Sequence, residues 1–235
     1  MPISERLRAV ASFIAFPSLA DIGTDHAYLP VYALERGLAD AAIACDISPG
    51  SLAKAEKNIA GSAFRRKIQT RLGDGLKPIT PGEVQCAVLA GMGGHLIMDI
   101  LRGSPEVTGG LSQVILQPQN DAAFVRRAAH EMDLRIEGEK IVYENGKYYN
   151  ILDCRPREST GGREGLYTDA GYEFGQILID NKDLILMEYI NKIIQKSELI
   201  LAKIRTGGAN MESAQVLELQ RVICLAKETQ SRLRA

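Results

Sequence analysis

The hydrophobic positions in the first 155 residues alternate between two kinds of segment. Short runs of small and β-branched apolar residues alternate with longer segments of helical spacing, a pattern typical of a parallel sheet covered by helices. We predict five strands, at 19–22, 41–46, 68–72, 84–90 and 113–116. We predict helices between them, at 28–36, 50–59, 95–101 and 121–132.

The pattern changes after residue 132. Segments 135–143 and 148–154 flank the sequence ENGK, in which Asn145 and Gly146 suit the positive φ angles of a type I′ turn. The last two strands should therefore be antiparallel neighbours. Five alternating strands closed by such a hairpin are typical of the α/β, Rossmann-like sheet of class I methyltransferases and not of a dehydrogenase, which would also need a G-x-G-x-x-G motif that this chain lacks.

A polar segment rich in turn formers, RPRESTGGREG, separates this pattern from a helical C-terminal part. We place the boundary there and predict a Rossmann-like domain at 1–158 and a helical coiled-coil domain at 159–235. Gly207 and Gly208 should end the first of two long helices, so that the second folds back antiparallel. This helical hairpin is either a packing or dimerisation module or an arm that binds an elongated substrate. Two heptad seams support it: Leu186, Ile190, Ile193, Ser197, Ile200 and Ile204, and then Val216, Leu219, Ile223, Ala226, Gln230 and Leu233.

Composition narrows the functions that need to be considered. The net charge of −1 gives no basic surface over the whole molecule, so a nucleic acid would have to be held by a local patch. The four cysteines form no C-x-x-C pair, which argues against disulfides and a zinc site, and we expect no metal. No apolar stretch approaches the length of a membrane span, and the N-terminus lacks the layout of a signal peptide. We therefore expect a cytoplasmic protein. We also expect a monomer or weak dimer.

Acidic and glycine residues follow the first three predicted strands, where the ligands of open α/β sheets bind. The sequence DIGTDHA offers Asp21, and Gly23, which lets a ligand approach the backbone closely. Asp46 ends the second strand, where a carboxylate can accept hydrogen bonds from both hydroxyls of a ribose. Asp74, in LGDGL, could accept a hydrogen bond from an adenine amino group. Together these residues indicate a site for S-adenosylmethionine, which carries an ammonium and a sulfonium instead of phosphates.

Two further segments follow the fourth and fifth strands. AGMGG, from Ala90 to Gly94, is either a tight turn that merely needs glycine or a bare backbone that the methyl group and a flat base approach. LQPQN brings Gln117 and Gln119 to the same edge, where an amide could read the Watson–Crick edge of a base.

These segments resemble one protein family. SERLRAVASFI, ADIGTDHAYLP, LGDGL, LAGMGG, ILQPQ and ENGKYYNI are similar to sequences of the TrmK family, the bacterial tRNA (adenine-22-N1)-methyltransferases. The resemblance implies S-adenosylmethionine as methyl donor, N1 of adenine 22 in tRNA as acceptor, and a coiled-coil C-terminal domain. A different RNA, DNA or a small molecule is the alternative acceptor. The residues expected to bind the cofactor are Asp21, Gly23, Thr24, Asp25, Asp46, Asp74, Gly75, Gly91, Met92 and Gly93.

Catalytic and tRNA-binding residues are predicted from the same segments. Asp25 could stabilise the positive charge that N1 methylation leaves on adenine, or it could bind the cofactor amino group or cap a helix. His26 could orient Asp25 or touch the substrate. We predict substrate binding by Arg6, Arg8, Gln117 and Gln119, with further basic clusters at Arg65, Arg66 and Lys67 and at Arg126 and Arg127.

Overall fold

The computed structural model describes residues 3–157, 167–206 and 212–234. The chain divides into two compact units, Met1–Glu164 and Gly165–Ala235. The boundary predicted between residues 158 and 159 lies outside the described residues, as do Gly207 and Gly208.

The first unit is built on a sheet of seven strands in the order β3-β2-β1-β4-β5-β7-β6. Strands β1 to β5 are parallel, whereas β7 lies antiparallel between β5 and β6. This order confirms the predicted class I methyltransferase sheet. The strands are β1 (Ser18–Ile22), β2 (Ala41–Asp46), β3 (Ile68–Leu72), β4 (Cys86–Met92), β5 (Gln113–Pro118), β6 (Leu134–Glu144) and β7 (Lys147–Pro156).

Six helices accompany this sheet in the described part of the first unit. The short helices α1 and α5 were not among the predicted elements. Helices α1, α2 and α3 bury apolar side chains in one core with β1, β2 and β4. The helices are α1 (Glu5–Ala11), α2 (Tyr28–Glu35), α3 (Pro49–Ala60), α4 (Gly94–Arg102), α5 (Pro105–Gly109) and α6 (Ala122–Glu131).

The β6–β7 hairpin turns as the sequence predicted. Asn145 and Gly146 have φ angles of 50° and 81°, and Glu144 pairs with Lys147 across the turn. Strand β4 begins and ends two residues later than predicted. Its register against β5 shifts between Ala90 and Met92, so the strand passes through an irregularity as it reaches the sheet edge.

Arg126 does not belong to a phosphate-binding cluster. Its side chain is 1% exposed, and its Nε donates to Glu139 Oε1 at 2.6 Å. Its Nη2 also donates to Asn150 Oδ1 at 3.0 Å. The prediction for Arg126 was wrong because its place on α6 turns it toward the β6–β7 hairpin, which holds a carboxylate for it.

The second unit contains α7 (Asp169–Phe174), α8 (Gln176–Asp180), α9 (Leu184–Thr206) and α10 (Ala214–Arg234). Helices α9 and α10 pack against each other antiparallel, since Asn191 bonds Gln230 and Glu198 pairs with Lys227. This confirms the predicted helix pair. No helix among the described residues is both long and apolar enough to span a membrane.

The seam between α9 and α10 differs from the prediction at two positions. Ile200 is 39% exposed. On α10 the predicted seam residue Gln230 is only partly buried, whereas its neighbour Thr229 is completely buried. Thr229 tolerates burial because its hydroxyl donates to the carbonyl oxygen of Leu225 at 2.7 Å. Gln230 stays at the margin, where its amide reaches Asn191.

Candidate functional site

A cleft of about 500 Å³ opens at the carboxyl edge of the parallel strands. Its walls come from α1, the turn after β1, the start of α2 and the end of β4, and Gln119 closes one side. This is the position at which open α/β sheets bind ligands.

The turn after β1 folds back onto β2. The backbone amides of Gly23 and Thr24 both donate to the carbonyl oxygen of Cys45, each at 2.9 Å. Gly23, Asp25 and Ala27 all adopt left-handed conformations, with φ angles of 74°, 48° and 55°. The tight path leaves the backbone of this turn open to the cleft and directs the carboxylate of Asp25 outward.

Asp21 lies at the floor of the cleft and is only 6% exposed. The hydroxyl of Thr24 donates to its Oδ2 at 2.6 Å. The pKa of Asp21 is raised to about 6, chiefly by burial and in smaller part by the nearby Asp46, although the hydrogen bond from Thr24 and the charge of Arg6 oppose the rise. No basic side chain of the described residues forms an ion pair with it. A bound cation would favour its ionised form.

Asp46 joins the turn after β1 to the start of α3. Its Oδ2 accepts from the backbone amide of Asp25 at 3.1 Å, and its Oδ1 accepts from that of Ser48 at 2.8 Å. A carboxylate can accept about four hydrogen bonds, so capacity remains for ribose hydroxyls.

The side chains of Asp25 and His26 lie close to each other at the cleft. His26 Nε2 lies 3.5 Å from Asp25 Oδ2, and Lys54 Nζ lies 4.0 Å from Asp25 Oδ1. The His26 ring stacks on Tyr28 with 5.1 Å between centroids, and Asn58 donates to the carbonyl oxygen of His26 at 2.9 Å. Two aromatic rings and an exposed carboxylate therefore stand together at this wall.

The QPQN segment fixes the backbone of the AGMGG turn. Gly91, with a φ of 77°, donates its amide to Gln117 Oε1 at 3.1 Å and accepts at its carbonyl from Gln119 Nε2 at 2.6 Å. Asn120 Oδ1 accepts from the amide of Gly94 at 3.1 Å. Gln119 lines the cleft, whereas Gln117 is completely buried beneath it. These hydrogen bonds between the two segments could not be predicted from the sequence.

Asp74 and Gly75 line a smaller hollow of about 190 Å³ farther along the same edge. Asp74 pairs with Lys77 at 2.6 Å. Large apolar side chains stand exposed at the ends of the neighbouring strands and at the start of α4, and they are suited to the face of a flat ring. They are Ile47 (69% exposed), Leu72 and Leu96. Sequence reasoning missed them, although an apolar residue directly after Asp46 was a visible signal.

These residues fit S-adenosylmethionine. A Cβ built on Gly23 would lie 2.3 Å from Met92 Cε, so Met92 packs closely over the bare backbone of the turn. Carboxylates stand at the ends of three consecutive strands, at Asp21, Asp46 and Asp74, and this set of negatively charged hydrogen-bond acceptors matches a cationic nucleoside. Among the described residues no group of three His, Cys, Asp or Glu side chains is arranged to hold a metal ion.

The two arginines of α1 that we predicted to bind substrate point to different surroundings. Arg6 lines the cleft, and its Nη1 donates to Gln117 Oε1 at 2.5 Å. Arg8 is exposed and pairs with Glu5 at 2.6 Å. Only Arg6 belongs to the cleft.

Comparison with known proteins gives a consistent result. Residues 3–152 match the family model described as a methyltransferase domain. The chain is 32% identical over 219 residues to the tRNA (adenine(22)-N(1))-methyltransferase of Bacillus subtilis, covering 93% of this chain and 92% of that protein. The structure of the B. subtilis m1A22 tRNA methyltransferase TrmK superposes with a TM-score of 0.84 at 31% identity, covering 97% and 99% of the two chains. Streptococcus pneumoniae Sp1610 in complex with S-adenosyl-L-methionine gives 0.83 at 30% identity, covering 97% and 100%.

Proposed function

The chain belongs to the TrmK family of tRNA (adenine-22-N1)-methyltransferases, and from this premise we propose that it transfers a methyl group from S-adenosylmethionine to N1 of adenine 22 in tRNA. One observation of the structure supports this most directly. Asp21, Asp46 and the bare turn at Gly23 meet at one sheet edge, beside a cleft large enough for a nucleoside.

S-adenosylmethionine, when bound, supplies an electrophilic methyl group on a cationic sulfur. The N1 atom of adenine carries a lone pair, so no base has to remove a proton before transfer. The chain therefore contributes alignment and electrostatics. Asp21 favours positive charge at the cleft floor, and Asp46 and Asp74 accept hydrogen bonds from the ribose and from the adenine amino group of the cofactor. Thr24, Gly75, Gly91, Met92 and Gly93 complete the predicted cofactor contacts.

Asp25 is the first candidate for a catalytic residue. Its carboxylate is exposed at the cleft wall, where it could stabilise the positive charge that develops on adenine. His26 would orient it. In single-turnover assays we expect Asp25→Ala to slow methyl transfer while S-adenosylmethionine affinity stays close to that of the wild type. Normal methyl transfer with normal S-adenosylmethionine affinity would show that Asp25 is not catalytic. A loss of S-adenosylmethionine affinity alone would indicate that Asp25 binds the cofactor amino group.

The two glutamines take different roles in this proposal. Gln119 is available to the edge of the target base. Gln117 is buried, so we assign it to holding Gly91 and Arg6 in place instead of reading the base directly.

tRNA is the proposed partner. Adenine 22 must leave its stack to expose N1, at a cost of a few kcal/mol. Exposed basic side chains at Arg8, Arg65, Arg66 and Lys67 could hold phosphates, and binding should then weaken steeply with salt. A monomer or weak dimer, a cytoplasmic location and the domain boundary at residue 158 stay predictions.

Nucleoside analysis by mass spectrometry tests the function. We expect 1-methyladenosine in a tRNA transcript incubated with the protein and S-adenosylmethionine, and none in the same transcript with guanine at position 22. Methylation of both transcripts would contradict the position. Cofactor binding without methylation of any tRNA would favour another acceptor.

A further inference from the structure

Arg6 presents to the cleft a charge that forms no ion pair with the described residues. The residue is half-buried, and its guanidinium makes one hydrogen bond within the described chain, to the side-chain oxygen of Gln117. A guanidinium has five N–H donors. Most of them are therefore available to an anion that enters the cleft.

Neutral groups hold Arg6 in place. Gln117 accepts its hydrogen bond at 2.5 Å, and the ring of Tyr149 lies 5.6 Å from the guanidinium carbon. Gln117 is itself fixed, because its oxygen also accepts from the amide of Gly91 and its nitrogen donates to the carbonyl oxygen of Pro118. An amide and an aromatic ring orient a guanidinium without cancelling its charge.

The charges of the cleft match those of an amino acid. Asp21 and Asp25 can attract an ammonium or sulfonium. Among the described residues that line the cleft, Arg6 is the only arginine or lysine. The methionine part of S-adenosylmethionine carries one ammonium and one carboxylate, so it requires both kinds of group.

The geometry points to Arg6 as the residue that binds the carboxylate of S-adenosylmethionine, with Gln117 and Tyr149 as the residues that position its guanidinium. This inference rests on the proposed function, and it changes the role that the sequence suggested for Arg6, a contact to tRNA. A tRNA phosphate would have to enter the same cleft that takes the cofactor and the base. Arg8, exposed on the same helix, is better placed for a phosphate.

Calorimetric titration with two ligands tests the inference. S-adenosylhomocysteine keeps the amino-acid part, whereas 5′-methylthioadenosine has the adenosine and the thioether but no carboxylate. We expect Arg6→Gln to raise the Kd for S-adenosylhomocysteine roughly 10- to 100-fold, as the loss of a charge-assisted hydrogen bond does. The Kd for 5′-methylthioadenosine should change by less than about twofold. Arg6→Lys, which keeps the charge but loses the fork of donors, should lie between.

Arg8→Gln is the matched control, and it should leave both dissociation constants unchanged. Thermal melting of the ligand-free proteins verifies the fold, and Arg6→Lys carries the comparison if Arg6→Gln does not fold. An equal loss for both ligands would overturn the inference, because it would mean general damage to the cleft. Unchanged cofactor affinity with weaker, less salt-dependent tRNA binding would also overturn it and make Arg6 a phosphate contact. A wild type that binds S-adenosylhomocysteine but methylates no tRNA would instead contradict the proposed function alone.

Discussion

Two of the regions that bury charge in the first unit differ in how they hold it: one lies between α6 and the β6–β7 hairpin, and the other lies at the carboxyl edge of the parallel strands. In the first region Arg126 and Glu139, each 1% exposed, bond directly, and Asn150 accepts from the same guanidinium. In the second region Asp21 has a hydroxyl as its hydrogen-bond partner, and the half-buried Arg6 has an amide. Charges that the chain itself matches stabilise the fold. In our proposal, the charges that it leaves unmatched serve to bind a ligand.

Breaking the matched pair should have the largest effect. Glu139→Gln removes the carboxylate that bonds the buried guanidinium of Arg126, and we expect the free energy of unfolding to fall by about 3–5 kcal/mol. Urea denaturation measures this change. S-adenosylhomocysteine affinity of the folded protein should not change, because the pair lies away from the cleft residues.

Replacing both partners is the control for this variant. Apolar residues of similar size, as in Arg126→Met with Glu139→Leu, remove the two charges together and should recover most of the lost stability. A double variant as unstable as Glu139→Gln would show that the remaining hydrogen bonds, and not the charges, hold this region together.

Removing the unmatched charge of Asp21 should raise the stability of the ligand-free protein at pH 7, in contrast to Glu139→Gln. The pKa of Asp21 is raised from 3.8 to about 6 in the folded protein, chiefly by burial. The folded state therefore binds a proton more tightly than the unfolded state, and this advantage is lost as the pH rises through 6. At pH 7 ligand-free Asp21→Asn should be more stable than the wild type by up to about 3 kcal/mol, and the difference should vanish near pH 4.

Urea denaturation of both proteins between pH 4 and pH 7 isolates this contribution, because other titrating groups affect both alike. The same variant should bind S-adenosylhomocysteine roughly 10- to 100-fold more weakly, since the ionised carboxylate is lost. Parallel stability curves over the pH range would mean that Asp21 is already ionised and matched in the ligand-free protein.

Alanine substitutions at two glycines with left-handed backbone conformations should have a smaller effect on stability. Gly23 and Gly37 have φ angles of 74° and 66°, so alanine at either position should cost about 1–2 kcal/mol. A Cβ at Gly23 would also meet Met92 at the cleft, whereas nothing lies within 4 Å of one at Gly37. We expect similar losses of stability in urea, with S-adenosylhomocysteine affinity reduced only in Gly23→Ala.

Gly37→Ala serves here as the matched control for strain. If both variants bound the ligand as the wild type does, the bare backbone of Gly23 would be a requirement of the turn and not of the cofactor.

The sequence predicted the fold further than it predicted the site. Alternating strands and helices and the Asn145-Gly146 turn depend on local chemistry, and the structure confirms them. The strand-end aspartates were visible for the same reason, because each follows an apolar run. Element ends shifted where the backbone is irregular, as at Ala90 to Met92.

Contacts between distant segments could not be predicted from the sequence. Gln117 is 111 positions from Arg6 and 26 from Gly91, yet one oxygen accepts from both. Arg126 looked like a surface cation because its partner Glu139 belongs to a later strand. A polar residue at the end of a strand has the same appearance in the sequence whether it faces the ligand or supports the residue that does.

Breaking an exposed ion pair should cause the smallest loss of stability among these variants. Lys227 and Glu198 join α10 to α9 at 2.6 Å, but both side chains are about half exposed. Water already solvates both charges, so we expect Glu198→Gln to lower the free energy of unfolding by about 0.2–1 kcal/mol, in contrast to Glu139→Gln. Urea denaturation at low ionic strength and in about 1 M salt provides the measurement, and screening should abolish the difference at high salt. A loss as large as that from the buried pair, persisting in salt, would show that pairing and not burial determines how much a matched charge stabilises this protein.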